Sequence, residues 1–121
     1  MTNASRLASH GFALLTTWEL RNGKAKPKTT AWDDTSGWIY AFVVTNEVRY
    51  IGIASTVLRS RFDGYSYQLN DSVGQKILKL LEAGMEVQAW GARRGLVGRG
   101  VLEAEESKLI AEFDPPWNVR K

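Results

Sequence analysis

Two tyrosines and a glutamate are the residues of this chain whose placement most suggests chemistry. Tyr40 closes the segment Gly37-Trp38-Ile39-Tyr40, and Tyr50 opens Tyr50-Ile51-Gly52 ten residues later. Glu106 lies much further on. Phenolic hydroxyls can hold a water or a phosphate oxygen, and a carboxylate can hold a metal or a proton. The set therefore points towards phosphodiester chemistry. The same two rings could instead pack with Phe42 in an ordinary core.

Glu106 is set apart by its helix. Over Val101–Phe113, the residues Leu102, Glu106, Leu109, Ile110 and Phe113 follow a spacing of i, i+4, i+7, i+8 and i+11, one face of a helix. Glu103 and Glu105 fall at its borders, while Lys108 and Glu112 face away. A carboxylate inside an apolar stripe is costly unless an arginine, hydrogen bonds or a metal compensate it. A structural ion pair and a metal ligand are both open at this point. Pro115-Pro116 stops the helix and fixes the approach of Trp117-Asn118.

Strands must position the tyrosines. Trp38–Val44 is almost wholly apolar and suits a strand buried on both faces, and Val48–Ile53 reads as its neighbour. A three-residue connection, Thr45-Asn46-Glu47, pairs Val44 with Val48 and sets Tyr50 opposite Phe42 and Tyr40 opposite Gly52. Both tyrosines then share one face. A two-residue connection would put them on opposite faces.

Downstream, a helix is predicted from Thr56 to about Tyr65, with Leu58, Phe62 and Tyr65 on one side and Arg61 at its edge. A second helix carries Val73, Ile77, Leu80 and Leu81 and ends at Gly84. Glu86–Gly91 is the third strand, and Gly91–Gly100, with its four glycines and three arginines, reads as a flexible basic loop. Residues 1–36 form an N-terminal extension. There Asn22-Gly23 signals a hairpin of Ala13–Arg21 with Ala25–Ala31, and a short helix over Ser5–Leu15 competes with it. The expected fold is α+β: a small antiparallel sheet with a three-stranded core, flanked by helices, over residues 37–121, preceded by that extension.

The 121 residues suffice for one domain. No apolar run is long enough to span a bilayer, so no membrane partner is expected. Met1–His10 lacks an apolar signal core, and the chain has no cysteine for disulfides or a thiolate zinc site, which gives a cytoplasmic expectation. The net charge of +3 favours a polyanionic partner only weakly. Its distribution says more: Lys24, Lys26 and Lys28, then Arg59 and Arg61, then Arg93, Arg94 and Arg99 form three clusters. Each alone fits a solvated loop, and three beside one candidate site point to a phosphate-binding face. His10, the one histidine, reads as a surface residue.

The ordered set resembles the GIY-YIG nuclease superfamily. The residues that carry the resemblance are Gly37-Trp38-Ile39-Tyr40, Tyr50-Ile51-Gly52, Leu58-Arg59-Ser60-Arg61 with Tyr65, Glu106-Ser107-Lys108-Leu109-Ile110, and Pro116-Trp117-Asn118. There are departures. Trp38 separates the glycine from Ile-Tyr, and Ile53 stands where many members carry lysine. The interval from Tyr50 to Arg61 is eleven rather than the usual ten, which leaves Arg59 a rival to Arg61. The interval of twelve from Glu106 to Asn118 is similar to the excision-nuclease branch, and Pro-Pro-Trp-Asn to restriction-enzyme branches.

The resemblance implies a divalent-metal-dependent endonuclease hydrolysing DNA phosphodiester bonds. In that reading Glu106 is the single protein ligand of Mg²⁺ or Mn²⁺, and Arg61 holds the scissile phosphate. Tyr50 is the base, and Tyr40 hydrogen-bonds the water or the phosphate. Tyr65 and Asn118 support them, while Lys24, Lys26, Arg59, Arg93 and Arg94 bind substrate. A phenol ordinarily titrates near 10, so a basic role needs positive charge beside it. One such site cuts one strand, and double-strand cleavage implies a homodimer or two successive nicks. The competing readings are a non-catalytic nucleic-acid-binding module that keeps the fold and a partner-dependent subunit.

Overall fold

The computed structural model describes residues 3–29, 37–55, 57–67, 72–95 and 97–118. In chain order these form α1 (Asn3–Ser9), β1 (Ala13–Arg21), β2 (Lys24–Pro27), β3 (Trp38–Val44) and β4 (Glu47–Ala54). They continue with α2 (Leu58–Tyr67), α3 (Ser72–Glu82), β5 (Gln88–Arg93) and α4 (Arg99–Phe113). The expected boundary after residue 36 and the expected strand end at Ala31 lie outside the described residues.

Strand β3 has no charged residue and is buried along its whole length, so it takes an interior place. The sheet has five strands in the order β2-β1-β5-β3-β4, each neighbour antiparallel. This corrects the expected three-stranded core, although the α+β class stands. Strand β1 pairs with β5 from Ala13↔Gly91 to Thr17↔Gln88, and β2 folds back on β1 through Asn22-Gly23. Its partner β5 lies far along the chain, and its mixed alternation of threonine and leucine gave no local sign of that pairing. Arg93 still belongs to β5, so the stretch read as a flexible loop begins as strand.

Alternation divides the sheet into two faces. Trp38, Tyr40, Phe42 and Val44 pack beneath α2 and α3 against Leu58, Phe62, Tyr65 and Ile77. Ile39, Ala41 and Val43 pack on the other face against Leu7 of α1 and Leu102, Leu109 and Phe113 of α4. Asp114 ends α4 in the left-handed conformation, its N–H bonded to the Ile110 carbonyl, before the prolines begin. No helix among the described residues is long and apolar enough to cross a membrane.

The β3–β4 connection is a two-residue turn. Thr45 and Asn46 have φ of 54° and 62°, and Val44 pairs with Glu47 rather than Val48. Such turns match the strand twist. By itself this turn would send the tyrosines to opposite faces. A bulge offsets it: Phe42 faces Tyr50 while Val43 faces Val48, so Arg49 is an extra residue in β4. The pairing Tyr40↔Gly52 follows, and both tyrosines share one face after all.

Candidate active site

The site lies over β4, the outer strand of the sheet. That edge is covered from the chain's end. Trp117 N–H bonds the Arg49 carbonyl at the bulge at 2.8 Å. The Asn118 amide accepts from Ile51 N–H at 2.9 Å and donates to the Ile51 carbonyl at 2.9 Å. A side-chain amide thus stands in for a further strand and holds the segment that carries Tyr50. This is where the structure places Asn118: on the backbone of β4.

Tyr40 sits behind β4 with no solvent exposure. Its hydroxyl meets the Tyr65 hydroxyl and accepts from Arg61 Nε at 3.0 Å. The Arg61 guanidinium also lies 5.0 Å from the centre of the Tyr65 ring, a cation–π distance. Gly52 faces Tyr40 across the ladder, and a Cβ there would lie 2.5 Å from the Tyr40 hydroxyl. The glycine is the space that phenol occupies.

Burial pushes the Tyr40 hydroxyl above the usual phenol range, and the Arg61 charge only partly opposes this. Burial does the same to Tyr65. Both remain protonated at neutral pH. Partial burial works against the charge of Arg61, but Tyr40 and Tyr65 outweigh it and raise its affinity for the proton. Arg61 is a permanent cation fixed by two phenols.

Tyr50 differs from the other two. It is half-buried, stacks on Phe42 at 5.9 Å and 20°, and opens to solvent. A cleft of about 480 Å³ is lined by Tyr50, Gly52, Ile53, Ala54 and Ser55, by Arg61 of α2, and by Arg99, Glu103 and Glu106 of α4. Glu106, half-buried, reaches the cleft from the opposite layer of the molecule to Arg61, so the two meet around the sheet edge. Of the residues singled out from the sequence, Tyr50, Arg61 and Glu106 therefore converge, with Tyr40 and Tyr65 behind them. The protein ligands the cleft offers a cation are carboxylates, a hard-oxygen set. No group of three or more His, Cys, Asp or Glu suited to a metal occurs among the described residues.

The other basic candidates stand apart. Lys24 and Lys26 are on β2, at the opposite edge of the sheet. Arg59 is an exposed residue of α2, and Arg93 an exposed end of β5. Arg94 donates from Nε and Nη2 to Glu105 at 2.6–3.1 Å and from Nη2 to the His10 carbonyl at 2.9 Å. His10 itself contacts the Glu112 carboxylate at 3.0 Å and the edge of Phe113. Sequence reasoning placed Arg99 in a basic cluster pointing to a phosphate-binding face but assigned none of Arg99, Glu103 and Ser55 to the site. A signal for two of them existed: Arg99 and Glu103 stand at i and i+4 to Glu106 at i+7, so they share a side of α4 with it at the border of its apolar stripe.

No protein-family profile and no curated protein matches this sequence. Solved structures do match. A glutamate-to-alanine mutant of bacteriophage T4 EndoII aligns with a TM-score of 0.78 at 22% identity, over 98% of this chain and 100% of that one. The restriction endonuclease HPY188I, in complex with product DNA, aligns with a TM-score of 0.61 at 16% identity, over 100% of this chain and 84% of that one. At these identities the likeness is one of fold, and it extends over nearly the whole chain.

Proposed function

We propose that the protein is a GIY-YIG-type endonuclease that hydrolyses phosphodiester bonds in DNA, with Tyr50, Arg61 and Glu106 as its working groups. One observation carries this reading: a phenol from the edge strand, a guanidinium from α2 and a carboxylate from α4 open into a single cleft. The fold shared with a restriction endonuclease supports it.

Arg61 spends Nε on Tyr40, which leaves its two terminal nitrogens to grip the scissile phosphate and neutralise charge as the phosphorane forms. Tyr50, which lines the cleft beside Arg61, would orient the attacking water and, in its phenolate form, accept the water's proton and become the neutral phenol, giving that proton up to solvent before the next turnover. Tyr40 and Tyr65 are positioning residues. Held protonated, they fix the guanidinium and do not accept a proton themselves. Glu106 would hold a divalent cation, Mg²⁺ or Mn²⁺, whose Lewis acidity stabilises the leaving 3′ oxygen when it is bound. The oxygen-only donor set of the cleft fits such an ion.

Supercoiled plasmid incubated with Mg²⁺ tests the reading. The wild-type protein should convert it to nicked and then linear DNA, and Glu106→Gln should bind the plasmid without cutting it. Equal cutting by Glu106→Gln, or none by the wild type on linear, circular and branched DNA, would overturn the assignment.

A further inference from the structure

The cleft holds a cation that the chemistry above does not use. Arg99 opens α4, donates from Nε to Glu103 Oε2 at 3.0 Å and from Nη1 to Ser55 Oγ at 3.1 Å, and lines the cleft beside Glu106. Resting on the reading of this cleft as a phosphodiester site, we propose that Arg99 grips a second backbone phosphate of the strand being cut, and that Glu103 and Ser55 hold it at the cleft mouth until DNA arrives.

Helix stability does not explain this arginine. A positive charge in the first turn faces the positive end of the helix dipole. An arginine followed four residues later by a glutamate is also the weaker order for such a pair. The first turn contains no acidic residue, and Gly98 supplies no side-chain cap. The Arg99 and Glu103 side chains are 64% and 53% exposed, so water screens their attraction. The pair contributes little to folding, and what it does is place a guanidinium.

Its geometry suits an exchange of partners. Ser55 lies in the connection from β4 to α2 and Glu103 on α4, so Arg99 spans the two walls of the cleft. It meets the Glu103 carboxylate through Nε alone. A phosphate can take two parallel bonds from the same planar fork, which makes it the stronger partner. The Glu103 carboxylate, and Glu106 while no cation is bound, would otherwise repel an entering DNA backbone, and Arg61 is committed to one phosphate. A second fixed cation offsets that repulsion, while its pairing with Glu103 keeps the empty cleft near neutral.

Binding of a fluorescently labelled oligonucleotide duplex to the Glu106→Gln protein, measured across a salt series, separates the possibilities. Adding Arg99→Ala should lower affinity roughly tenfold at low salt and reduce the slope of log affinity against log salt by about 0.9, one phosphate contact. Arg99→Lys should restore most of the slope and less of the affinity, because the amine lacks the fork. Glu103→Gln should tighten binding several-fold, a gain that shrinks when Arg99 is also alanine. Unchanged affinity and slope in Arg99→Ala would refute the second contact alone. A Glu103→Gln gain of equal size without Arg99 would remove the holding role. Failure of the Glu106→Gln parent to bind DNA at all would overturn this proposal together with the functional reading beneath it.

Discussion

The two flanks of α4 use the same side chain to opposite ends. Four glutamates lie on this helix. Towards α1 and β5, Glu105 accepts three hydrogen bonds from Arg94, and Glu112 is shared between Arg6 at 3.1 Å and His10 at 3.0 Å. Arg6 also lies 4.6 Å from the centre of the Phe113 ring, which ties α1 to α4. Towards the cleft, Glu103 meets one exposed arginine by a single nitrogen, and Glu106 stands at the rim of open space. A glutamate locks the fold where a multidentate, half-buried partner faces it. Where the partner is one exposed arginine held by a single nitrogen, as at Glu103, water screens the pair and a ligand can displace it.

The contrast can be broken first at Glu106. Glu106→Gln should lower DNA cleavage by about 10³-fold, with stability changed by no more than about 0.5 kcal/mol. Cleavage assays paired with thermal melts would show both numbers, and a large drop in melting temperature would move Glu106 to the structural flank. Tyr50→Phe comes next. It should reduce cleavage by about 10²-fold while the ring keeps its stacking on Phe42, so the melting curve stays in place.

Arg94→Ala should do the reverse. Losing its bonds to Glu105 and the His10 carbonyl should cost about 2 kcal/mol in urea unfolding. Cleavage by the folded fraction should persist well below its melting point. Loss of cleavage without loss of stability would return Arg94 to the substrate-binding set.

The smallest effect is on pH dependence. Hydrogen bonds from Arg94 hold Glu105 below the usual carboxylate value of 4.5, and His10, then Arg6, do the same for Glu112. A carboxylate depressed in the folded state contributes stability that is complete above its unfolded value and disappears as pH falls through its folded value. Stability should therefore decline from about pH 5 downwards. Arg94→Ala should flatten that decline, as read from urea midpoints at stepped pH, and an unaltered acid slope would show that other groups cause it.

Much of this arrangement was legible along the chain. The helix stripe that singles out Glu106 and the apolar run of β3 follow from local periodicity, since backbone geometry dictates which neighbours share a face. The shared face of the two tyrosines was read correctly through a wrong connection, because an Asn-containing turn and a bulge at Arg49 cancel in register. Pattern counting sees the sum of such shifts and not their parts.

The five-stranded sheet was not legible, because β1 finds its partner in β5 only once the chain has closed. Nor could Arg94 be told from Arg99. Both sit in one glycine-rich basic stretch, and their fates diverge because Glu105 and the His10 carbonyl surround the first while the second opens on the cleft. Tyr40 and Tyr50 diverge likewise, one sealed beneath β4 and the other at its surface. Residue types and spacing determined which chemistry this protein can attempt and on which elements. Depth, charge partners and access came from contacts between distant segments, because desolvation and ion pairing depend on everything that surrounds a group and not on its neighbours in the chain.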